Sequence, residues 1–198
     1  MPRFRDGICL LDLDHRLVEA ADCLLQVNHQ VLQGYLAEEL FGWSISRFVC
    51  LNKKIVGLIR LSKLDVEKGY GLLGTWLHPS VWGTGVNRLA KDAFLQLIFA
   101  EHPAVKKVYL CISENNLRSV RAAKKLPYAE DLPEQLVPTD LVEAAASSVT
   151  GAAVDAANPA ATDMVFEAAT YCGKSESGRK WFFVDRLSFQ QFIEINKK

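Results

Sequence analysis

The chain has 198 residues, of which 49% are hydrophobic and 23% charged, the ordinary balance of a globular protein of one domain, or one domain with an insertion. Lys+Arg and Asp+Glu are equal at 23 each, which argues against the basic footprint of a nucleic-acid binder. No apolar run reaches the roughly 18–20 residues that span a bilayer, and Met1–Asp6 lacks a signal peptide's apolar core, so a cytoplasmic location is expected. Five well-separated cysteines (Cys9, Cys23, Cys50, Cys111, Cys172) make no metal-ligand spacing; free thiols and no bound metal are expected.

In chain order, residues 7–13 predict a first strand. From His15 to Leu40 apolar residues recur at three- and four-residue steps with a phase shift near Asn28, which predicts two short helices. Ile45–Cys50 and Ile55–Leu61 predict strands joined by a turn at 51–54, and residues 69–78 predict the next strand. Apolar residues at 86, 89, 90, 93, 94 and 97 form a helical stripe that His102-Pro103 ends. Lys107–Ile112 predicts a central strand, and Asn116–Lys125 a helix stopped at Leu126-Pro127. An alanine- and proline-bearing stretch at 129–163 predicts an insertion, part short helix and part loop, within a single domain spanning 1–198. Met164–Tyr171 and Lys180–Leu187 predict a closing hairpin. The order implies a mixed α/β sheet.

The segment Trp76-Leu77-His78-Pro79-Ser80-Val81-Trp82-Gly83-Thr84-Gly85-Val86-Asn87-Arg88 carries the chemistry. A strand ends at a proline, a glycine-bearing loop follows, and a helix starts. Such a start aims unpaired N–H groups at one point and suits a phosphate. Asn87 serves there either as a ligand or as a helix cap.

This arrangement resembles the GCN5-related N-acetyltransferases, whose pyrophosphate loop reads Gln/Arg-x-x-Gly-x-Gly/Ala. Here Trp82 stands in the first place, Gly85 in the glycine place and Asn87 in the last. Three further segments are similar to the branch that includes ribosomal-protein N-terminal acetyltransferases: Asn28–Leu36, with Tyr35 for a tryptophan; Lys54–Ile59; and Asn116–Leu126. The resemblance implies a fold with a mixed, mostly antiparallel sheet of about seven strands flanked by helices on both faces. It implies acetyl-CoA as cosubstrate, without a metal, and direct transfer in a ternary complex to a primary amine. That amine would be a small molecule or a protein N-terminus, with the protein a monomer or homodimer. A catalytically inactive acyl-CoA sensor or a partner-binding scaffold stands as the alternative.

The resemblance further implies that Gly83, Thr84, Gly85, Val86 and Asn87 hold pyrophosphate through their N–H groups, and that Trp76, Leu77 or His78 polarises the thioester carbonyl through its backbone. Ser119 matches the donor to the leaving thiolate, or else packs or binds cofactor; Asn116 matches a pantetheine or helix-start position; and Tyr128 is a second candidate acid if the chain after Pro127 folds back over the site. Many relatives carry a tyrosine where this chain has Ala123. Glu114 is the expected general base, with Asp65, Glu67 and His78 as rivals. Tyr35, Trp43 and Trp82 either border the acceptor groove or pack in the core. The family's Lys-Leu-Gly-Phe becomes Lys125-Leu126-Pro127-Tyr128 here.

Overall fold

The computed structural model describes residues 7–14, 16–17, 29–147 and 178–196. Seven strands form one sheet: β1 (Ile8–Asp12), β2 (Ile45–Leu51), β3 (Lys54–Asp65), β4 (Tyr70–Leu77), β5 (Lys107–Ser113), β6 (Glu130–Leu132) and β7 (Arg179–Asp185), in the spatial order β1-β2-β3-β4-β5-β7-β6. Among the described residues these helices flank it: α1 (His29–Leu40), α2 (Val86–Glu101), α3 (Leu117–Lys124), α4 (Thr139–Ser147) and α5 (Arg186–Ile195). Among the described residues no helix is long and apolar enough to cross a membrane.

The β2–β3 hairpin turns through Asn52 and Lys53, both at positive φ, the twist a two-residue hairpin loop demands. Every neighbouring pair is antiparallel except β4 and β5, which the crossover helix α2 makes parallel. That parallel pairing covers only Tyr70–Leu72 against Lys107–Tyr109. Beyond it the two strands have no register with each other, although β5 continues along β7 to Ser113. The sheet is therefore split at its centre.

The two faces have separate cores. On one, α2, α3 and α5 pack Ala90, Phe94, Ile98, Ala123 and Phe189 against Val49, Ile59, Leu73, Val108 and Val184. On the other, α1 sets Leu32 against Phe48, Leu58 and Trp76, and α4 sets Leu141 and Ala145 against Tyr70, Tyr109 and Trp181. Each such Leu or Phe, fully removed from water, stabilises the fold by about 2–3 kcal/mol. Cys9, Cys50 and Cys111 are free thiols, and burial pushes the Cys50 thiol up to about 12.

The seven-stranded mixed sheet with helices on both faces is the predicted architecture. The predicted strands at 7–13, 45–50, 55–61, 69–78 and 107–112 appear within a few residues of their bounds, as do the helices at 86–100 and 116–125. Of the two predicted early helices, the second is α1, while 18–28 lie outside the described residues, as does Met164–Tyr171 of the closing hairpin. The strand seen against β7 is Glu130–Leu132, drawn from the stretch read as an insertion. Its helical part is α4, and 148–163 lie outside the described residues. The predicted strand at 180–187 stops at Asp185, whose carboxylate accepts the Leu187 N–H at 2.9 Å and caps α5.

Candidate functional site

The split in the sheet opens into a cleft of about 590 Å³ between the end of β4, the loop at 82–85, the first turn of α2 and one side of α3. Of the residues singled out in the sequence, Trp76, Leu77, Trp82, Gly83, Gly85, Asn87, Asn116 and Ser119 all line it. Segments far apart in the chain thus meet at one site.

The loop conformation explains its glycines. Gly83 and Gly85 hold φ of +76° and +87°, and Gly85 is the N-cap of α2 without any side-chain cap bond. Its carbonyl accepts from Arg88 and Leu89. Among the described residues, no N–H from Gly83 to Asn87 donates to another backbone group. The helix start therefore presents donors and its positive end to the cleft. Thr84 spends its hydroxyl on Val81 O at 2.7 Å, and Val86 buries its side chain in the core, so both offer only backbone. Asn87 does not cap the helix; its Oδ1 accepts from the Lys91 amine.

Trp82, at odds with the family pattern, has two local uses. Its indole N–H donates to Leu77 O at 2.8 Å, tying the loop to the end of β4. Its ring lies 3.3 Å beneath the Arg118 guanidinium, a cation–π contact that bridges the cleft from loop to α3. Arg88, Arg118, Arg121 and Lys125 line the cleft, and among the described residues no carboxylate does. An anion entering it meets four cations and a helix start.

The register narrows the three backbone candidates on β4. The His78 N–H donates to Val56 O at 2.8 Å, and antiparallel bonding alternates along a strand. With Trp76 opposite Leu58 and Leu77 opposite Gly57, the Trp76 N–H turns toward β3 and the Leu77 N–H toward the split. The bond from Trp82 to the Leu77 carbonyl places that residue's polar groups on the open side. The His78 ring is occupied locally, its Nδ1 2.8 Å from the Ser80 hydroxyl.

Asn116 caps α3 by accepting the Ser119 N–H at 3.1 Å, and so sets Ser119 half-buried on the cleft wall. The structure does not bring the other acid and base candidates together with it. Tyr128 packs against Phe189 and Phe192, and its hydroxyl donates to Asp92 on the buried side of α2. Burial, then the Asp92 charge, pushes that phenol far above its usual range, so it is a core residue and not an available acid. Tyr128→Phe is expected to leave turnover unchanged. It should cost about 1–3 kcal/mol in a denaturant melt, because the half-buried Asp92 carboxylate loses a donor. Glu114 is exposed beyond the end of β5, 3.7 Å from Lys180 Nζ, and does not line the cleft. Asp65 pairs with Lys68 at the far end of β3, where Glu67 is exposed in the turn. Tyr35 lies under the Arg60 guanidinium and Trp43 stacks on Phe41, both away from the cleft.

Sequence reasoning missed Lys91. Its side chain is buried at 7% exposure beneath the first turn of α2, with Nζ 3.0 Å from Thr75 Oγ1 and 2.5 Å from Asn87 Oδ1. Its position four residues after Asn87 was the available signal.

A family model described as an acetyltransferase (GNAT) domain matches residues 15–128, more than half of the chain. The chain belongs to this family. No curated protein shows significant sequence similarity to this acetyltransferase-family chain. Solved structures share its fold. An apo RimL ribosomal L7/L12 alpha-N-protein acetyltransferase superposes with a TM-score of 0.64 at 12% identity, covering 92% of this chain and 96% of that one. Spermidine N-acetyltransferase from Vibrio cholerae, in complex with CoA and spermine, gives 0.63 at 13% identity over 93% and 98%. The microcin C7 self-immunity acetyltransferase MccE, in complex with acetyl-CoA and AMP, gives 0.63 at 12% identity over 91% and 93%. At such identities the likeness concerns the fold of the acetyltransferase alone.

Proposed function

We propose that this single-domain protein is an acetyl-CoA-dependent N-acetyltransferase that transfers acetyl directly to a primary amine in a ternary complex. The observation that carries the reading is the split between β4 and β5 opening into a cationic cleft at a helix start. In this reading the N–H groups of Gly83–Asn87 take the pyrophosphate, and the Leu77 N–H polarises the thioester carbonyl. The amine lone pair attacks the carbonyl carbon, the C–S bond breaks, and the amine proton passes to water. The Ser119 hydroxyl donates a hydrogen bond to the departing sulfur, a role its place on the cleft wall supports. Ala123 is buried, so that position supplies no donor.

The acceptor is an amine of a small molecule or of a protein N-terminus, and the free thiols at Cys9, Cys50 and Cys111 fit a reducing compartment such as the cytoplasm. A thermal shift with acetyl-CoA but not with adenosine is the first test; no shift at millimolar acetyl-CoA sinks the cosubstrate reading. Thiol release measured over N-terminal peptides, polyamines and amino-acid amines then separates an enzyme from an acyl-CoA sensor, which would release none. Ser119→Ala is expected to lower turnover about tenfold or more, with acetyl-CoA affinity nearly unchanged. Unaltered turnover removes Ser119 from the chemistry.

A further inference from the structure

We propose that Lys91 is a positioning residue that locks the phosphate-facing turn of α2 to β4, and that entry of the anionic cosubstrate is coupled to uptake of one proton by its amine. The inference rests on the acetyl-CoA reading of the cleft.

The geometry comes first. Lys91 bridges Asn87 in the first turn of α2 and Thr75 on β4, and both of these residues line the cleft while Lys91 itself sits behind them. Among the described residues both hydrogen-bond partners are neutral oxygens, and none is a carboxylate that would neutralise the buried ammonium. A long, flexible lysine chain held at 7% exposure gains nothing as a surface solubiliser; it fixes the spacing of helix and strand. The Asn87 Oδ1 is taken by this amine, and the Asn87 N–H donates to no other backbone group among the described residues.

Charge follows from position. Burial holds the amine down to about 7, against the pull of Asp92. Within α2 the flanking charges are Asp92 and Arg88, the latter 3.7 Å from the Asp92 carboxylate. From β4 the facing group is the Thr75 hydroxyl, which carries no charge. Across the cleft, α3 presents Arg118 and Arg121, with Lys125 at its C-cap, all cations that disfavour another positive charge. A phosphate anion in the cleft reverses that balance. It neutralises the α3 cations and attracts a cation beneath α2, so the neutral amine takes a proton from solvent. Below about pH 7 the amine is already charged and binding takes up none. Above it, uptake approaches one proton, and by reciprocity affinity falls as pH rises.

Calorimetry of acetyl-CoA binding between pH 7 and 8.5, repeated in buffers of different ionisation enthalpy, counts the protons. For the unmodified protein at pH 8, uptake on the order of 0.5–1 proton is expected, and Kd should rise with pH by up to about tenfold per unit. Lys91→Met should bind more weakly at pH 7, take up essentially no proton, and show a flat pH profile. A merely structural lysine would change the melting temperature of that variant and leave proton uptake as it was. Uptake near zero in the unmodified protein, or equal uptake in Lys91→Met, overturns the proposal while acetyl-CoA still binds. Absence of any acetyl-CoA binding overturns the cosubstrate reading and this inference with it. Should the variant fail to fold, the pH profile of the unmodified protein decides alone.

Discussion

Gly85→Glu is expected to abolish acetyl-CoA binding while the protein stays folded. Gly85 holds φ of +87° as the N-cap of α2, and nothing lies within 4 Å of a Cβ built there. Two effects separate cleanly. Any L side chain at this left-handed position costs roughly 1–2 kcal/mol of backbone strain, which Gly85→Ala measures alone. Glutamate adds a carboxylate at the mouth of the helix start, where the free N–H groups and Arg88 and Arg118 gather. Alanine should weaken affinity several-fold; glutamate should push it beyond about a hundredfold, out of calorimetric range. Equal affinities for the two variants would remove the loop from the phosphate site.

Gly57→Val should destabilise the protein by about 3 kcal/mol, which for a chain of this size lowers the melting temperature by about 10 °C. A Cβ at Gly57 would overlap the Trp76 carbonyl oxygen and come within 2.6 Å of Leu77 Cδ2 and 3.0 Å of Leu77 Cα. Two of those contacts are backbone atoms held in the β3–β4 ladder, so no side-chain rotation relieves them. Because Leu77 ends β4 at the split, the displaced strand should also weaken acetyl-CoA binding. A thermal melt within about 2 °C of the unmodified protein would show that β3 yields where the packing indicates it cannot.

How much of this was legible beforehand depended on whether a signal was local. The strand–loop–helix at 76–88 announces itself through Pro79, Gly83, Gly85 and a clean apolar stripe, all within one segment. The β2–β3 hairpin is equally local. β6 is three residues, Glu130-Asp131-Leu132, too polar and short to show alternation, and only pairing with β7 makes it a strand. α5 was readable in Asp185 as cap and in Phe189, Phe192 and Ile193, but the apolar run at 181–184 carried the strand reading past its end.

The site divided along the same line. Backbone donors at 83–87 follow from loop chemistry, whereas only the β3 register shows that the Leu77 N–H, and not that of Trp76 or His78, turns toward the split. Tyr128 is a candidate acid only if the chain after Pro127 folds back over the cleft, and the aromatic partners that bury it elsewhere, Phe189 and Phe192, lie some sixty residues later. Lys91 reads in sequence as a solvated helix position, since a charge usually is one. Its burial comes from α2 packing on β4 at the cleft wall, a fact of tertiary structure alone.

The placement of β7 between β5 and β6 has a consequence for how the chain is made. As the polypeptide emerges in order, β1 to β5 and α1 to α3 are complete while β5 still shows a bare edge. That edge must wait for residues 179–185, which arrive after a connection of some thirty residues from α4. The closure entropy of a chain segment grows only slowly with its length, so a separation of this size is tolerated in the final structure. Until β7 pairs with it, the apolar β5 edge, Val108 to Ile112, has unpaired backbone groups of the kind that another strand can pair with.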